Sequence, residues 1–196
     1  MHADHLVVNL SYWVYGALRM IGEAFPDPAW QALREGGLQL AREARFGRWG
    51  LPPDWLRVPM DARSPVPASP WPPRFSWDAV RVPLHLIWGG HLQEPVLRAC
   101  AEFWGDPRWR SMPAWVDLTT GATAPYAATA GIRAVAQLTL AAQVGWGRHE
   151  SLPRVADATD YYAAKLVLMS HYAWHERGLD MSEEPRLRLR QGQRGN

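Results

Sequence analysis

The amino-acid sequence predicts an all-α fold of about six antiparallel helices. Apolar residues recur at helical spacing in six separate segments, with no repeat of fixed sequence among them. Most prolines and glycines fall between these segments. Hydrophobic residues make up 47% and charged residues 20% of the 196 residues, the balance expected of a globular chain. Six helices could close a small bundle by themselves or form half of a larger helical toroid, and periodicity does not distinguish these two architectures.

The first two helices are predicted at residues 11–23 and 27–46. Ser11 suits the N-cap of the first helix, and Pro28 suits the first turn of the second. The following segment, 47–75, contains eight prolines, which forbid a long helix. We therefore predict a long, mostly irregular loop there, and loops of this length in compact domains are often functional.

Four further helices are predicted toward the C-terminus, at 76–88, 94–104, 127–142 and 158–176. Pro83 should kink the first of them, because a proline inside a helix removes a backbone hydrogen bond. A Thr-Thr-Gly turn at 119–121 predicts a small hairpin within 113–125.

Composition and charge exclude several classes of protein. The formal net charge is only +2, without a basic stripe interleaved with aromatics, so nucleic acid is not an expected partner. No apolar run approaches the roughly 20 residues of a membrane span, so no span is expected. Cys100, the only cysteine, cannot form an intrachain disulfide and should be a small buried residue. The Arg-rich segment 178–196 should be a polar, disordered tail.

Two features admit both a structural and a functional interpretation. Twelve tryptophans could form a core rich in large side chains or a sugar-binding surface, because pyranose rings stack on aromatic faces. His171 and His175 lie four residues apart, the spacing of metal ligands on one helix face. No third ligand accompanies them in the sequence, and we predict no metal site.

The segment with the most chemical content is Ser-Trp-Asp-Ala-Val-Arg-Val at 76–82. Ser76 is predicted to cap a helix, which puts Asp78 in the first turn, where the helix dipole favours a carboxylate. Arg81, three residues on, can reach that carboxylate. By itself such a pair is more often surface chemistry than a catalytic site.

The same segment resembles the Ser-Tyr-Asp-Ala-x-Arg-Val motif of family 8 glycoside hydrolases, with Trp77 in place of the tyrosine. Four other segments follow in the order of that family. They are Asn-Leu-Ser-Tyr at 9–12, Leu-Pro-Pro-Asp-Trp-Leu-Arg at 51–57, Val-Asp-Leu-Thr-Thr-Gly at 116–121 and Asp-Tyr-Tyr at 160–162. The resemblance runs from about residue 8 to residue 174, and it is to the endoglucanases associated with bacterial cellulose synthesis.

The resemblance implies an endo-β-1,4-glucanase with inverting chemistry, folded like the C-terminal half of an (α/α)6 toroid. Asp78 would be the general base that activates water, and Arg81 would keep it charged and oriented. The glucan cleft would be lined by Tyr12, Trp55, Trp77 and Asn9. The implied substrate is a β-1,4-glucan, either cellulose or its oligosaccharides, and no cofactor is implied. Family resemblance also implies a periplasmic or secreted protein, although the first residues do not resemble a signal peptide.

One departure from the family pattern changes this expectation. The family's general acid is a glutamate in a Ser-Glu-Gly-x-x-Tyr-Gly segment, which a Ser-Asp-Gly-Asp segment follows, and neither occurs in this sequence. Inverting hydrolysis needs both an acid and a base. Residues 1–177 are therefore expected to be a truncated catalytic domain without its acid; the alternative is a degenerate glucan-binding protein without turnover. Besides glucan, the expected partner is the missing N-terminal half or a second copy of the chain.

Overall fold

Six α-helices dominate the computed structural model, which describes residues 4–61, 63–144 and 152–177. Their bounds are α1 Tyr15–Ala24, α2 Pro28–Glu43, α3 Arg81–Gly89, α4 Pro95–Trp104, α5 Ala130–Val144 and α6 Tyr161–Glu176. Short 3-10 helices precede α1 and α6, at Leu10–Tyr12 and Val155–Asp157. The prediction of an all-α fold with six helices is confirmed. The predicted tail, 178–196, lies outside the described residues.

Five short strands supplement the helices. They are β1 His5–Val8, β2 Leu56–Pro59, β3 Val66–Pro67, β4 Arg74–Phe75 and β5 Val116–Asp117. The first three form an antiparallel sheet in the order β1-β2-β3, and β4 pairs with β5. Three of these strands lie in the segment that we predicted to be mostly irregular. Pro59 and Pro67 end their strands, where the missing N–H costs the sheet little.

The predicted hairpin at 113–125 is present, and its strand β5 pairs with β4. Asp117 N–H donates to the Ala122 carbonyl at 2.8 Å across the turn. Gly121 adopts a left-handed conformation with φ of 75°, which a side chain would disfavour. Through β5, this hairpin anchors the chain just before the Ser76–Val82 motif.

Several helix starts differ from the predictions. The first helical segment is split into a 3-10 helix and α1, and Asn9 rather than Ser11 caps it, accepting the Ser11 N–H at 3.0 Å. The α3 helix begins at Arg81, five residues later than predicted. Pro83 therefore lies in the first turn of α3, where no helical hydrogen bond is lost, and the predicted kink has no cause.

The α3 helix is the centre of the packing. It contacts α1, α4, α5 and α6, and the most extensive helix pair is α5 against α6. The largest fully buried side chains of these helices are Leu84, Leu86, Ile87, Leu97, Phe103, Ile132, Leu138 and Leu166. Cys100 is buried among them as predicted, and this burial raises the pKa of its thiol. Within the described ranges, no helix is long and apolar enough to cross a membrane.

A glycine permits the close approach of α5 to α6. A Cβ atom at Gly131 would lie 2.8 Å from both the Cα and the carbonyl oxygen of Ala163. Both of these are backbone atoms, so they cannot turn aside as a flexible side chain could. The contact therefore requires glycine at this position.

Gly131→Ala should lower the free energy of unfolding by about 1–3 kcal/mol, because the added methyl group pushes two packed backbones apart. Gly36→Ala in α2 is the matched control, since a Cβ there would have no neighbour within 4 Å. It should raise stability by about 0.5–1 kcal/mol, because alanine is the better helix former. Urea denaturation followed by circular dichroism measures both changes, and equal effects of the two substitutions would contradict the packing argument.

His85 is a buried titratable residue of α3. Burial lowers the pKa of its imidazole to about 3, and the charges of Arg81 and Lys165 act in the same direction. Between pH 6.5 and about 3 the unfolded chain therefore binds a proton that the folded chain does not. We expect the free energy of unfolding to fall as pH decreases through this window.

Replacing the imidazole isolates its part of this pH dependence. His85→Leu should flatten the decline between pH 6.5 and 4, and the remaining slope then belongs to carboxylates. Denaturant titrations at several pH values give the comparison. Identical slopes for the two proteins would show that His85 is not neutral in the folded state.

Candidate active site

The Ser76–Val82 motif forms a tight turn at the entry to α3 rather than the first turn of that helix. Val80 N–H donates to the Ser76 carbonyl at 2.9 Å, and Arg81 N–H donates to the Asp78 carbonyl at 3.1 Å. The Asp78 side chain remains 30% exposed. The turn therefore presents a carboxylate at the surface while its backbone is fixed to a buried helix.

The cap of this turn is Asp54, which sequence analysis did not single out. Its Oδ1 atom accepts the backbone N–H groups of Ser76, Asp78 and Ala79 at 3.1, 3.1 and 2.8 Å. Its Oδ2 atom accepts the Ser76 hydroxyl. The prediction that Ser76 caps the helix is therefore wrong, because Ser76 donates to the cap instead of acting as one. The Pro-Asp-Trp segment was the available signal for Asp54.

The Asp54 carboxyl lies in a different environment from the Asp78 carboxyl. Burial raises the pKa of the Asp54 carboxyl, hydrogen bonds from Ser76 and Ala79 oppose this, and the Asp78 charge adds to the rise. Both oxygens of Asp54 are engaged by the turn. Both oxygens therefore face the turn rather than the exposed surface, so we do not assign the acid role to Asp54.

Arg81 connects the carboxylate to an aromatic ring. Its Nη2 atom pairs with Oδ1 of Asp78, and its guanidinium carbon lies 5.7 Å from the centroid of the Tyr12 ring. Tyr12 extends from the 3-10 helix that follows β1 and is 62% exposed. Asp78, Arg81 and Tyr12 therefore share one face of the molecule.

Two more aromatic residues adjoin the turn. Trp77 is partly exposed, and its ring lies edge-on to that of Tyr162 at 5.9 Å between centroids. The Tyr162 hydroxyl donates to the Trp77 carbonyl and thereby ties α6 to the turn. Burial raises the pKa of the Tyr162 phenol, so this donor keeps its proton at neutral pH.

Trp55 and Asn9 complete the set of sequence-predicted residues. Trp55 is half-buried and lies edge-on to Tyr12, with 6.3 Å between ring centroids. Asn9 is buried, and its Oδ1 atom accepts both the N–H and the hydroxyl of Ser11. Asn9 therefore shapes the 3-10 helix that carries Tyr12, and its side chain does not line open surface.

The histidine pair at metal-ligand spacing has a structural contact. The Nε2 atom of His171 lies 2.9 Å from the Pro153 carbonyl oxygen. In the part of the chain that the structure describes, no group of three or more histidine, cysteine, aspartate or glutamate side chains could hold a metal ion.

Asp54→Ala should destabilise the protein by about 2–4 kcal/mol, because it leaves three backbone N–H groups of the turn without their charged acceptor. Asp54→Asn keeps an acceptor oxygen at Oδ1 and should cost clearly less. Chemical denaturation of the two variants measures the difference. Equal losses would mean that the turn does not depend on the Oδ1 atom.

Comparisons with known proteins agree on one family. The model of the family named glycosyl hydrolases family 8 matches residues 2–176. A probable endoglucanase of Novacetimonas hansenii is 42% identical over 170 residues, which cover 87% of this chain and 48% of that protein. An endoglucanase of Cellulomonas uda is 36% identical over 139 residues, covering 70% of this chain and 38% of that protein.

A solved structure gives the same result for the fold. The endo-β-1,4-glucanase CMCax from Acetobacter xylinum superimposes with a TM-score of 0.82 at 41% identity, covering 90% of this chain and 54% of that one. The chain thus spans about half the length of the relatives it matches, and its six helices form part of an (α/α)6 toroid. The matched family, the sequence identity and the shared fold together show that this chain belongs to glycoside hydrolase family 8.

Proposed function

We propose that this chain provides the base side of an inverting endo-β-1,4-glucanase. One observation carries the proposal: the Asp78 carboxylate is fixed by Arg81 on a face that it shares with the exposed Tyr12 ring. A base beside aromatic rings is the arrangement that hydrolysis of a sugar polymer needs. The relatives, an endoglucanase and an endo-β-1,4-glucanase, support the same class of reaction.

The chemistry assigned to Asp78 is activation of water. In inverting hydrolysis a carboxylate takes a proton from a water molecule, which attacks the anomeric carbon from the face opposite the leaving group. Arg81 engages Oδ1 of Asp78, and we assign the water to Oδ2. Because one oxygen is fixed, the other is held in a defined direction before substrate arrives.

The substrate that we assign is a β-1,4-glucan, either cellulose or its oligosaccharides. Pyranose rings present flat C–H faces, and partly exposed aromatic rings bind such faces. Tyr12, whose ring lies near the Arg81 guanidinium, is exposed. Trp77, which directly precedes Asp78 in the chain, is also partly exposed. The periplasm or the cell exterior is the compartment that we assign, because polymeric glucan is found there.

Three carboxyl groups of the described residues are committed to other contacts and do not supply the acid. Glu23 pairs with Arg19, and Glu94 accepts two hydrogen bonds from Arg42. Asp54 is committed to the turn. We therefore propose that turnover requires a proton donor from a partner segment, either the N-terminal half of the family's domain or another chain. The alternative function, a glucan-binding protein without turnover, is favoured by the lack of the family's Ser-Glu-Gly-x-x-Tyr-Gly segment in the sequence.

The chain by itself should release reducing sugar from a soluble cellulose derivative at a rate lower by about 10²–10⁴-fold or more than a complete family 8 enzyme, because acid assistance is missing. Asp78→Asn should leave this background unchanged. Reducing-sugar assays on the purified chain and the variant provide the test. Robust hydrolysis that Asp78→Asn abolishes would contradict the prediction and reveal an acid within the chain.

A further inference from the structure

A tryptophan that no motif identified stands at the edge of the aromatic face. Trp71 lies in the loop between β3 and β4, and its ring stacks on that of Trp55, with 5.0 Å between centroids and an angle of 20° between planes. Trp55 in turn meets Tyr12 edge-on. The rings of Trp71, Trp55 and Tyr12 thus form a continuous row that ends beside Arg81.

Of the two stacked rings, Trp71 is the outer one. Trp55 is half-buried just before β2, and one of its faces is covered by Trp71. Trp71 remains 41% exposed although one of its faces is occupied. The face that a ligand can reach in this pair therefore belongs to Trp71, which changes the role expected for Trp55 from sugar contact to support.

The loop that carries Trp71 is fixed at both ends to the Asp54–Trp55 dipeptide. Ala68 N–H donates to the Trp55 carbonyl at 2.9 Å, and Asp54 N–H donates to the Arg74 carbonyl at 2.8 Å. Arg74 N–H also donates to the Pro72 carbonyl at 2.8 Å. Asp54 also caps the turn that carries Asp78. The Trp71 loop and the Asp78 turn are therefore both hydrogen-bonded to the Asp54–Trp55 dipeptide. A ring held in this way loses little conformational freedom when it binds a ligand.

We infer that Trp71 is the outer sugar platform of this face, and that it stacks on a glucosyl unit of a β-1,4-glucan beyond the unit that lies at Asp78. The inference rests on the proposed function, since it assigns one end of the same glucan path. Short oligosaccharides that occupy only the Tyr12 and Asp78 region do not reach this ring. Trp71 therefore confers a preference for longer chains, because contacts with remote parts of a substrate add binding energy only when the substrate extends to them.

The test is calorimetric titration of the full chain with cello-oligosaccharides from cellobiose to cellohexaose. Trp71→Ala should weaken cellohexaose binding about tenfold, a typical effect of truncating an aromatic anchor in a binding site, and leave cellobiose binding unchanged. Trp71→Phe keeps a ring and should restore most of the affinity. Phe25→Ala, which removes another strongly exposed ring beyond the end of α1, is the matched control and should have no effect at any length.

Three outcomes would overturn the inference. Unchanged cellohexaose affinity in Trp71→Ala would show that the ring does not touch glucan. An equal loss at every oligosaccharide length would show that Trp71 acts by supporting Trp55 and not as a distant platform. Absence of binding of any oligosaccharide to the unsubstituted chain would overturn the proposed function itself, and with it the platform.

Discussion

The geometry of the candidate site depends on one partly buried carboxylate. Asp54 accepts three backbone N–H groups and one hydroxyl from the turn that precedes α3. A carboxylate removed from water is costly unless hydrogen bonds compensate it, and charge-assisted bonds of this kind are the strong ones. Asp54, which lies just before β2, therefore caps the turn that precedes α3, and its partial burial is tolerated because the turn satisfies it. These hydrogen bonds hold the turn beside the segment that leads into β2.

This dependence explains how a short motif becomes a site. The turn is held by Asp54 on one side and by the Tyr162 hydroxyl on another, while α3 extends from it into the core. Three separate elements thus fix the direction of the Asp78 side chain. The precision that the proposed role of general base requires, namely holding a water at a defined place, is supplied by packing and hydrogen bonds that lie outside the motif.

Sequence patterns predicted the helices well and their starts poorly, for a physical reason. Amphipathic periodicity extends over a whole helix, so six helices were recognisable. A cap is a matter of one or two hydrogen bonds, and the cap of the Ser76 turn lies 22 residues earlier in the chain. Strands of two to four residues show no period that a proline-rich segment could reveal, and β2, β3 and β4 were missed for this reason.

The residues of the site were predictable to different degrees. Local spacing was enough to pair Asp78 with Arg81, whereas Tyr12, 69 residues before Arg81, could be associated with them only through family resemblance. Asn9 shows the limit of that approach. Asn9 belongs to a family motif, yet its side chain is buried and accepts the Ser11 N–H within the 3-10 helix that carries Tyr12. Trp71 lies in no motif, and only the stacking seen in the structure brings it to the site.

Stability alone does not account for the rings that surround the charged pair. The core already contains Phe75, Phe103 and many aliphatic side chains that are almost fully buried, and these supply the apolar burial on which folding depends. Tyr12, Trp71 and Trp77 leave much of their area in water, so they add little to that burial. Large rings clustered on one exposed face are a feature of binding surfaces rather than of cores. The proposed glucan ligand, whose sugar rings present flat C–H faces, suits such a surface, and the Asp78 carboxylate held by Arg81 lies beside it.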